Sequence, residues 1–160
     1  MNRNFARRPL RLGRVFDTSP LYFVTFCTHH RIPCLARDEV HAAFVLFVRR
    51  AKHEFNIAVG RYVIMPDHLP FFVCGGPDFT LGRWVGSLKQ VLAKAVNLSN
   101  DYKQIWQEGL FDHVLRSQES AVQKWDYVRE NPTRAGLVTR WSEWPYVGEI
   151  FPLEYRTEPL

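Results

Sequence analysis

The sequence has few cysteines and no long apolar run. Its three cysteines, Cys27, Cys34 and Cys74, are an odd number without C-x-x-C spacing, so they favour neither a disulfide framework nor a zinc site. No stretch reaches the roughly 18 uncharged apolar residues that a membrane span requires, and the N-terminal arginines are not followed by the apolar segment of a secretory signal. These absences predict a cytoplasmic protein that does not bind membranes.

Acidic residues are absent from the N-terminal stretch that holds Arg3, Arg7, Arg8, Arg11 and Arg14. The formal net charge is +5, so these five arginines account for the whole excess of basic over acidic residues. Guanidinium groups on an extended arm can follow a chain of phosphates, because neutralising those phosphates releases counterions. We therefore expect a phosphate-binding arm over residues 1–20, with a merely solubilising tail as the alternative.

The chain is long enough for one core. It has 160 residues, of which 46% are hydrophobic and 14% aromatic, and this is apolar material for a single domain. We expect that domain to span residues 21–138. Residues 139–160, which are rich in tryptophan and proline, are expected to form an irregular tail that packs on it.

The first half of the chain alternates between strand and helix signals. Residues 21–28 are β-branched and aromatic, which favours a strand, and apolar residues at spacings of three and four then predict a helix capped by Asp38 that ends near Glu54. Two further apolar stretches, 57–65 and 68–74, are separated by a proline and an aspartate, and this pattern is typical of a β-hairpin.

The second half repeats the alternation. Thr80 can cap a second amphipathic helix, an extended segment follows at 110–115, and Ser117 can cap a third helix that ends before Pro132. The resulting order, β-α-β-β-α-β followed by a further helix, predicts an α+β fold with a ferredoxin-like antiparallel sheet and helices on one face. That fold hosts many unrelated activities, so function must be argued from particular residues.

Three segments carry a resemblance to a known family: residues 65–73 around His68, residues 106–116, and residues 127–138, which begin with Tyr127 and contain Asn131. Their order and spacing resemble the REP-associated tyrosine transposases, which belong to the HUH group of single-tyrosine transposases. The resemblance runs from about residue 22 to residue 138.

This resemblance implies an enzyme that cuts single-stranded DNA at the foot of a hairpin and acts as a monomer or a homodimer. Tyr127 would attack the phosphorus and remain joined to the 5′ end, and His68 and Asn131 would help to hold Mg²⁺ or Mn²⁺. A phenol ionises near pH 10 in water, so such a nucleophile needs a base or a polarised phosphate at neutral pH. Tyr127 and Asn131, four residues apart on one predicted helix, would share a face.

The sequence departs from the family's pattern at Pro70. The family holds its metal with two histidines that flank one apolar residue on a strand, and here this pattern reads His68-Leu69-Pro70. Proline has no imidazole, so a weakened metal site is expected. A catalytically inactive DNA-hairpin-binding protein on the same scaffold is therefore the alternative function. We also expect a local distortion of the hairpin, since proline cannot contribute an N–H to a sheet.

Basic and aromatic residues near the expected site suggest how DNA would be held. Phosphates would be bound by basic residues near the site and on the arm: Arg116, Lys124, Arg129, Arg134, Arg7, Arg8, Arg11 and Arg14. Trp84, Trp106 and Trp125 offer surfaces for unstacked bases, although the helical spacing of Trp84 and Trp125 favours the core. An RNA-binding module is a further alternative, but the sequence has no RNP-like run.

Overall fold

The computed structural model describes residues 14–15, 20–97, 103–115 and 117–155. Its strands and helices, in chain order, are β1 (Arg14–Val15), β2 (Leu21–Cys27), α1 (Asp38–Phe55), β3 (Ala58–Val63), β4 (His68–Cys74), α2 (Leu81–Asn97), β5 (Phe111–Leu115), α3 (Gln118–Val128), α4 (Asn131–Arg134), β6 (Val147–Glu149) and β7 (Glu154–Tyr155). Single 3₁₀ turns lie at His29–Arg31 and Trp141–Glu143. The predicted phosphate ligands Arg7, Arg8, Arg11 and Arg116 lie outside the described residues.

The main sheet confirms the predicted α+β, ferredoxin-like architecture. Its strand order is β5-β2-β4-β3-β6, and each neighbouring pair is antiparallel. The four strands β2 to β5 are those expected from the sequence, whereas β6 extends the sheet beside β3. The backbone of Arg14 lies in a separate two-stranded parallel sheet, formed by β1 and β7.

Helices cover both faces of the sheet. α1 and α2 bury Phe44, Val48, Leu88 and other apolar residues against one face. α3 covers the other face, where Trp125 packs beside apolar residues of β2, β3 and β4. The helix that carries Tyr127 is therefore separated from α1 and α2 by the sheet.

α1 begins at Asp38 itself, one residue earlier than a cap at that position predicts. Asp38 is the first helical residue, and Arg37, which precedes it in an extended conformation, makes no side-chain capping bond. Asp38 can still favour this end of the helix, because an acidic side chain in the first turn complements the helix dipole. α1 ends at Phe55 and is capped by Asn56, whose φ of 55° is left-handed and whose N–H bonds back to the carbonyl groups of Ala51 and Lys52.

The third predicted helix is divided in two. Ser117 caps α3 as expected, since its hydroxyl accepts the N–H of Ser120 at 3.1 Å. α3 ends at Val128, however, and Asn131 begins the short helix α4. Pro132 explains the break: it lacks the N–H that would bond to the carbonyl of Val128, yet proline is well accommodated in a first helical turn.

The residues after α4 are bonded to the body of the domain. Trp144 donates its indole N–H to the carbonyl of Ile64 at 2.9 Å, and the hydroxyl of Tyr146 donates to Asp38 at 2.9 Å. β6 follows and pairs with β3. Within the described part of the chain, no helix is long and apolar enough to cross a membrane.

Candidate active site

The alternation of side chains along β4 determines the face on which a site can form. Phe72 contacts Trp125 of α3, with ring centroids 6.4 Å apart, whereas Phe71 packs in the cluster under α1 and α2. His68 and Pro70 have the same parity as Phe72, so they lie on the α3 side of the sheet. Pro70 is buried in a central strand, in regular register with β2, and the irregularity of the hairpin lies on β3 instead.

Tyr127 projects from α3 into solvent. Trp125 and Val128 on the same helix are buried, but Tyr127 is 65% exposed. Lys124, one turn earlier on the same flank, places its ammonium 5.2 Å from the ring centroid of Phe23 in β2. The flank that carries Tyr127 thus faces the side of β2. In the part of the chain that the structure describes, no hydrogen bond or ring contact joins Tyr127 to His68.

Arg134 contacts both Tyr127 and Asn131. Its guanidinium carbon lies 4.0 Å from the centroid of the Tyr127 ring, and its Nη2 donates a hydrogen bond to Asn131 Oδ1. The expectation that Tyr127 and Asn131 lie on one helix is wrong, since α3 ends between them. The turn between α3 and α4 nevertheless brings the two residues to one guanidinium group. A cation therefore lies beside the exposed phenol.

His68 is held by the residue before it. Its Nδ1 lies 2.7 Å from Asp67 Oδ1, and the other carboxylate oxygen, Oδ2, lies 3.6 Å from Nε of Arg31. The side chains of His68 and Asp67 are only 22% and 28% exposed. A carboxylate on one ring nitrogen leaves the other free, and this is the usual arrangement around a metal-binding histidine.

The donor atoms fit a divalent ion only in part. His68 offers one free imidazole nitrogen, while the Oδ1 atom of Asn131 already accepts a hydrogen bond from Arg134. Among the described residues, no group of three His, Cys, Asp or Glu side chains is arranged to hold a metal. An ion here would take most of its ligands from water and phosphate oxygens, which Mg²⁺ accepts readily.

Asp112 and His113 do not supply the missing ligand. They are neighbours on the edge strand β5, so their side chains point to opposite faces, and both are exposed. His113 pairs in register with Phe23, whereas His68 pairs with Cys27, four residues further along the same strand. Four residues of strand span about 13 Å, which is too far for two imidazoles to share one ion.

The other predicted phosphate ligands differ in their availability. Arg129 forms an ion pair with Asp126 at 3.3 Å, and its guanidinium carbon lies 5.0 Å from the Trp141 ring centroid, so it ties α3 to the residues after α4. Lys124 and Arg134 have no carboxylate partner among the described ion pairs. Among the residues that the structure describes, they are the available cations beside Tyr127.

The three tryptophans that were candidates for base stacking pack inside the domain instead. Trp84 and Trp125 are 8% and 6% exposed, as their helical spacing suggested. Trp106 packs edge-on against Phe26, with centroids 5.1 Å apart, and donates its indole N–H to the carbonyl of Lys89 at 2.8 Å. None of these three rings is a free surface for an unstacked base.

Sequence reasoning missed Asp67 and Arg31. Asp67 could have been found, because a carboxylate directly before a candidate metal ligand is a possible partner for its second nitrogen. Arg31 gave no local signal. It reaches Asp67 only because β2 pairs with β4 and brings the end of one strand to the start of the other.

The part of the chain that holds His68, Tyr127 and most of the sheet matches a known family. Residues 18–130 match the model of the family described as "Transposase IS200 like". The match covers β2 to β5 and all of α3, including Tyr127, and so more than half of the chain. Asn131 and Arg134 lie just beyond it.

Individual relatives agree with this match. The REP-associated tyrosine transposase of Escherichia coli K12 is 26% identical over 99 residues, which are 61% of this chain and 57% of that protein. This chain thus matches little more than half of that relative's length. A Haemophilus influenzae Rd protein, whose name places it provisionally in the same group, is 23% identical over 164 residues and covers 91% of this chain and 93% of its own.

One solved structure has the same fold. The REP-associated tyrosine transposase bound to a REP hairpin superimposes with a TM-score of 0.68 and 20% identity, over 84% of this chain and 79% of that one. At this identity the likeness establishes the fold.

Proposed function

Because this chain belongs to the family of IS200-like transposases, we propose that it binds single-stranded or hairpin DNA and cleaves it through a covalent bond to Tyr127. One observation carries the proposal: the exposed phenol of Tyr127 lies beside the guanidinium of Arg134, on the face of the sheet that also carries His68. The substrate would be a hairpin formed by an extragenic palindromic repeat, the kind of DNA named for the structural neighbour.

The cleavage step exchanges one phosphodiester bond for another. The phenolic oxygen of Tyr127 attacks phosphorus, the bond to the 3′ oxygen breaks, and the 5′ phosphate stays on the protein. The phenolic proton passes to solvent, and the departing 3′ oxygen takes up a proton. Strand joining reverses these steps with a different 3′-hydroxyl, so no external energy source is needed.

The residues near Tyr127 favour the attack electrostatically. A phenol is a weak nucleophile, so the attack depends on how strongly the phosphate is activated. The guanidinium of Arg134 can donate to the scissile phosphate, on which negative charge accumulates during transfer. A divalent ion held by His68, with Asn131 as a possible second ligand, would when bound polarise the same phosphate.

Contacts further from the reacting atoms would hold the DNA. Lys124 lies one helical turn from Tyr127 and points toward β2. We propose that Lys124, Arg134 and the arginines of the N-terminal arm, Arg7, Arg8, Arg11 and Arg14, neutralise phosphates on the two sides of the cut. Binding through such contacts weakens as salt concentration rises.

A covalent adduct tests the proposal. The full chain would be incubated with Mn²⁺ and end-labelled single strands drawn from the palindromic repeats of the genome that encodes it. We expect a protein–DNA adduct that survives denaturation, together with a released fragment that ends in a 3′-hydroxyl. If the same strands are retained in a gel shift but give no adduct at any Mn²⁺ concentration, the chain is a hairpin-binding protein and not a nuclease.

Pro70 is the observation that favours this non-catalytic alternative. It stands where the family's second metal-binding histidine is expected, and it is fully accommodated in β4. Replacing Pro70 by His is expected to lower the Mn²⁺ concentration that gives half-maximal adduct by at least about tenfold, because it adds a ligand on the same face as His68. Titration of adduct yield with Mn²⁺ measures the shift. Pro70→Gln, which adds a polar side chain without an imidazole, is the matched control.

The role of Arg134 gives a separate prediction. Arg134→Gln is expected to lower the rate of adduct formation about ten- to a hundredfold, because it removes a charge-assisted hydrogen bond of about 1.5 to 3 kcal/mol to the phosphate. Single-turnover kinetics at saturating DNA measures the chemical step. Arg140, an exposed arginine paired with Glu143, is the control, and Arg140→Gln should leave the rate unchanged. Equal rates for the two variants would remove Arg134 from the mechanism.

A further inference from the structure

The turn that precedes His68 is fixed by the loop after β2. Thr28 is fully buried; its N–H donates to the carbonyl of Asp67 at 2.9 Å, and its hydroxyl lies 3.2 Å from the same oxygen. The hydroxyl also bonds to the carbonyl of Ile32 at 2.9 Å. The backbone of Asp67 is therefore held against the end of β2, whatever its own side chain does.

The same loop contains two residues in an unfavourable backbone conformation. His30 and Arg31 have φ angles of 53° and 56°, in the left-handed region that side chains with a Cβ rarely adopt. Such strain persists only where the surrounding structure enforces it, and it is frequent at functional sites. Here the left-handed backbone of Arg31 occurs together with two contacts of its side chain. Arg31 places Nη1 3.0 Å from Cys27 Sγ and Nε 3.6 Å from Asp67 Oδ2.

The carboxylate of Asp67 thus has two partners. Oδ2 pairs with Arg31, and Oδ1 lies 2.7 Å from His68 Nδ1. An ionised carboxylate can only accept hydrogen bonds, so a neutral His68 ring must carry its proton on Nδ1. Nε2 is then the nitrogen with a free lone pair, and only such a nitrogen can bind a metal ion.

We propose that Asp67 and Arg31 are positioning residues that set the tautomer and the orientation of His68. The role of Nε2 as a metal ligand rests on the proposed function, whereas the tautomer of His68 does not depend on it. The tautomer and orientation of His68 matter more here than in a site with two histidines, because Pro70 leaves His68 as the single imidazole at this position of β4. Arg31 acts through Asp67, and Asp67 acts through His68.

The tautomer can be measured without metal or DNA. In the full chain with ¹⁵N-labelled histidine, at a pH where His68 is neutral, the imidazole shifts of His68 are expected to show protonated Nδ1 and unprotonated Nε2. Asp67→Ala should shift the ring toward a mixture of both tautomers, whereas Asp67→Asn, whose Oδ1 is still an acceptor, should retain the Nδ1–H form. Asp78→Ala, at an exposed carboxylate in another loop, is the control.

A second measurement follows Mn²⁺ alone. The affinity of the metal, read from the Mn²⁺ electron paramagnetic resonance signal, is expected to fall about ten- to a hundredfold in Asp67→Ala, the range typical for loss of such a partner. Arg31→Gly tests the outer residue in a form that should fold, because glycine adopts positive φ without strain. It removes the guanidinium and is expected to weaken Mn²⁺ binding to a smaller extent than Asp67→Ala.

The outcomes distinguish this inference from the proposed function. An unchanged tautomer in Asp67→Ala overturns the positioning role, whether or not the protein cuts DNA. An unchanged Mn²⁺ affinity in Arg31→Gly removes Arg31 from it. If the wild-type chain shows the Nδ1–H tautomer, loses it in Asp67→Ala and yet forms no adduct with DNA, the positioning role stands and the proposed cleavage fails.

Discussion

Replacing Tyr127 by Phe is expected to abolish the covalent protein–DNA adduct, a loss of at least about 1,000-fold, while hairpin binding changes little. The substitution removes only the phenolic oxygen, which is the nucleophile in the proposed reaction. The ring remains, so its contact with Arg134 can persist. Because Tyr127 is 65% exposed, loss of its hydroxyl leaves no buried group without a partner, and the free energy of unfolding should be nearly unchanged.

The control for Tyr127→Phe is the same substitution at a tyrosine that lies elsewhere in the domain. Tyr22 lies on β2, and its ring packs against Phe79 on the side of α1 and α2. Tyr22→Phe should therefore form the adduct at the wild-type rate. Adduct yield on a denaturing gel and hairpin affinity by gel shift would be measured for both variants. Wild-type adduct in Tyr127→Phe would show that another residue is the nucleophile.

Replacing Trp125 by Ala is expected to destabilise the protein by about 3 to 5 kcal/mol, the usual cost of removing a large buried aromatic side chain. Trp125 is a large buried contact of α3 with the sheet and is only 6% exposed. Its ring packs against Phe72 and Trp141, and the guanidinium carbon of Arg61 lies 5.5 Å from its centroid. Without this ring, α3 loses the anchor that places Tyr127 over the face of His68.

Denaturant unfolding gives the free-energy change, and the adduct assay shows whether α3 still presents Tyr127. Trp125→Phe keeps an aromatic ring and should cost clearly less than Trp125→Ala. A matched substitution at Val122, which is 43% exposed on the same helix, should cost little. A loss below about 1 kcal/mol in Trp125→Ala would mean that α3 is held by other contacts.

The order of strands and helices was predictable because its signals are local. Alternation along β2 and spacings of three and four along α1 and α2 appear within a few residues of sequence, and turn residues mark the hairpin between β3 and β4. The four strands of the ferredoxin-like core fall where these patterns place them. β6 was not predicted. It has only three residues, and its pairing depends on the exposed edge of β3.

The candidate site was less predictable, since its contacts join distant parts of the chain. Asn131 was expected to continue the helix of Tyr127, but Pro132 ends that helix at Val128. The two residues still meet, through Arg134. The pairing of Arg129 with Asp126 is a local contact between residues three apart on a helix, whereas its contact with Trp141 had no local signal, because Trp141 lies beyond α4 on a path set by packing.

The sequence by itself determined which chemical groups are present and in what order: one histidine and one proline at alternate positions of β4, a tyrosine near the end of α3, and an asparagine before a proline. These follow from residue identity and from periodicities that each element carries alone. Only the tertiary structure decided that α3 covers the face of His68, that Arg134 lies against Tyr127, and that Arg31 reaches Asp67. Such contacts depend on strand pairing and on which face of the sheet Trp125 packs against, which no local pattern encodes.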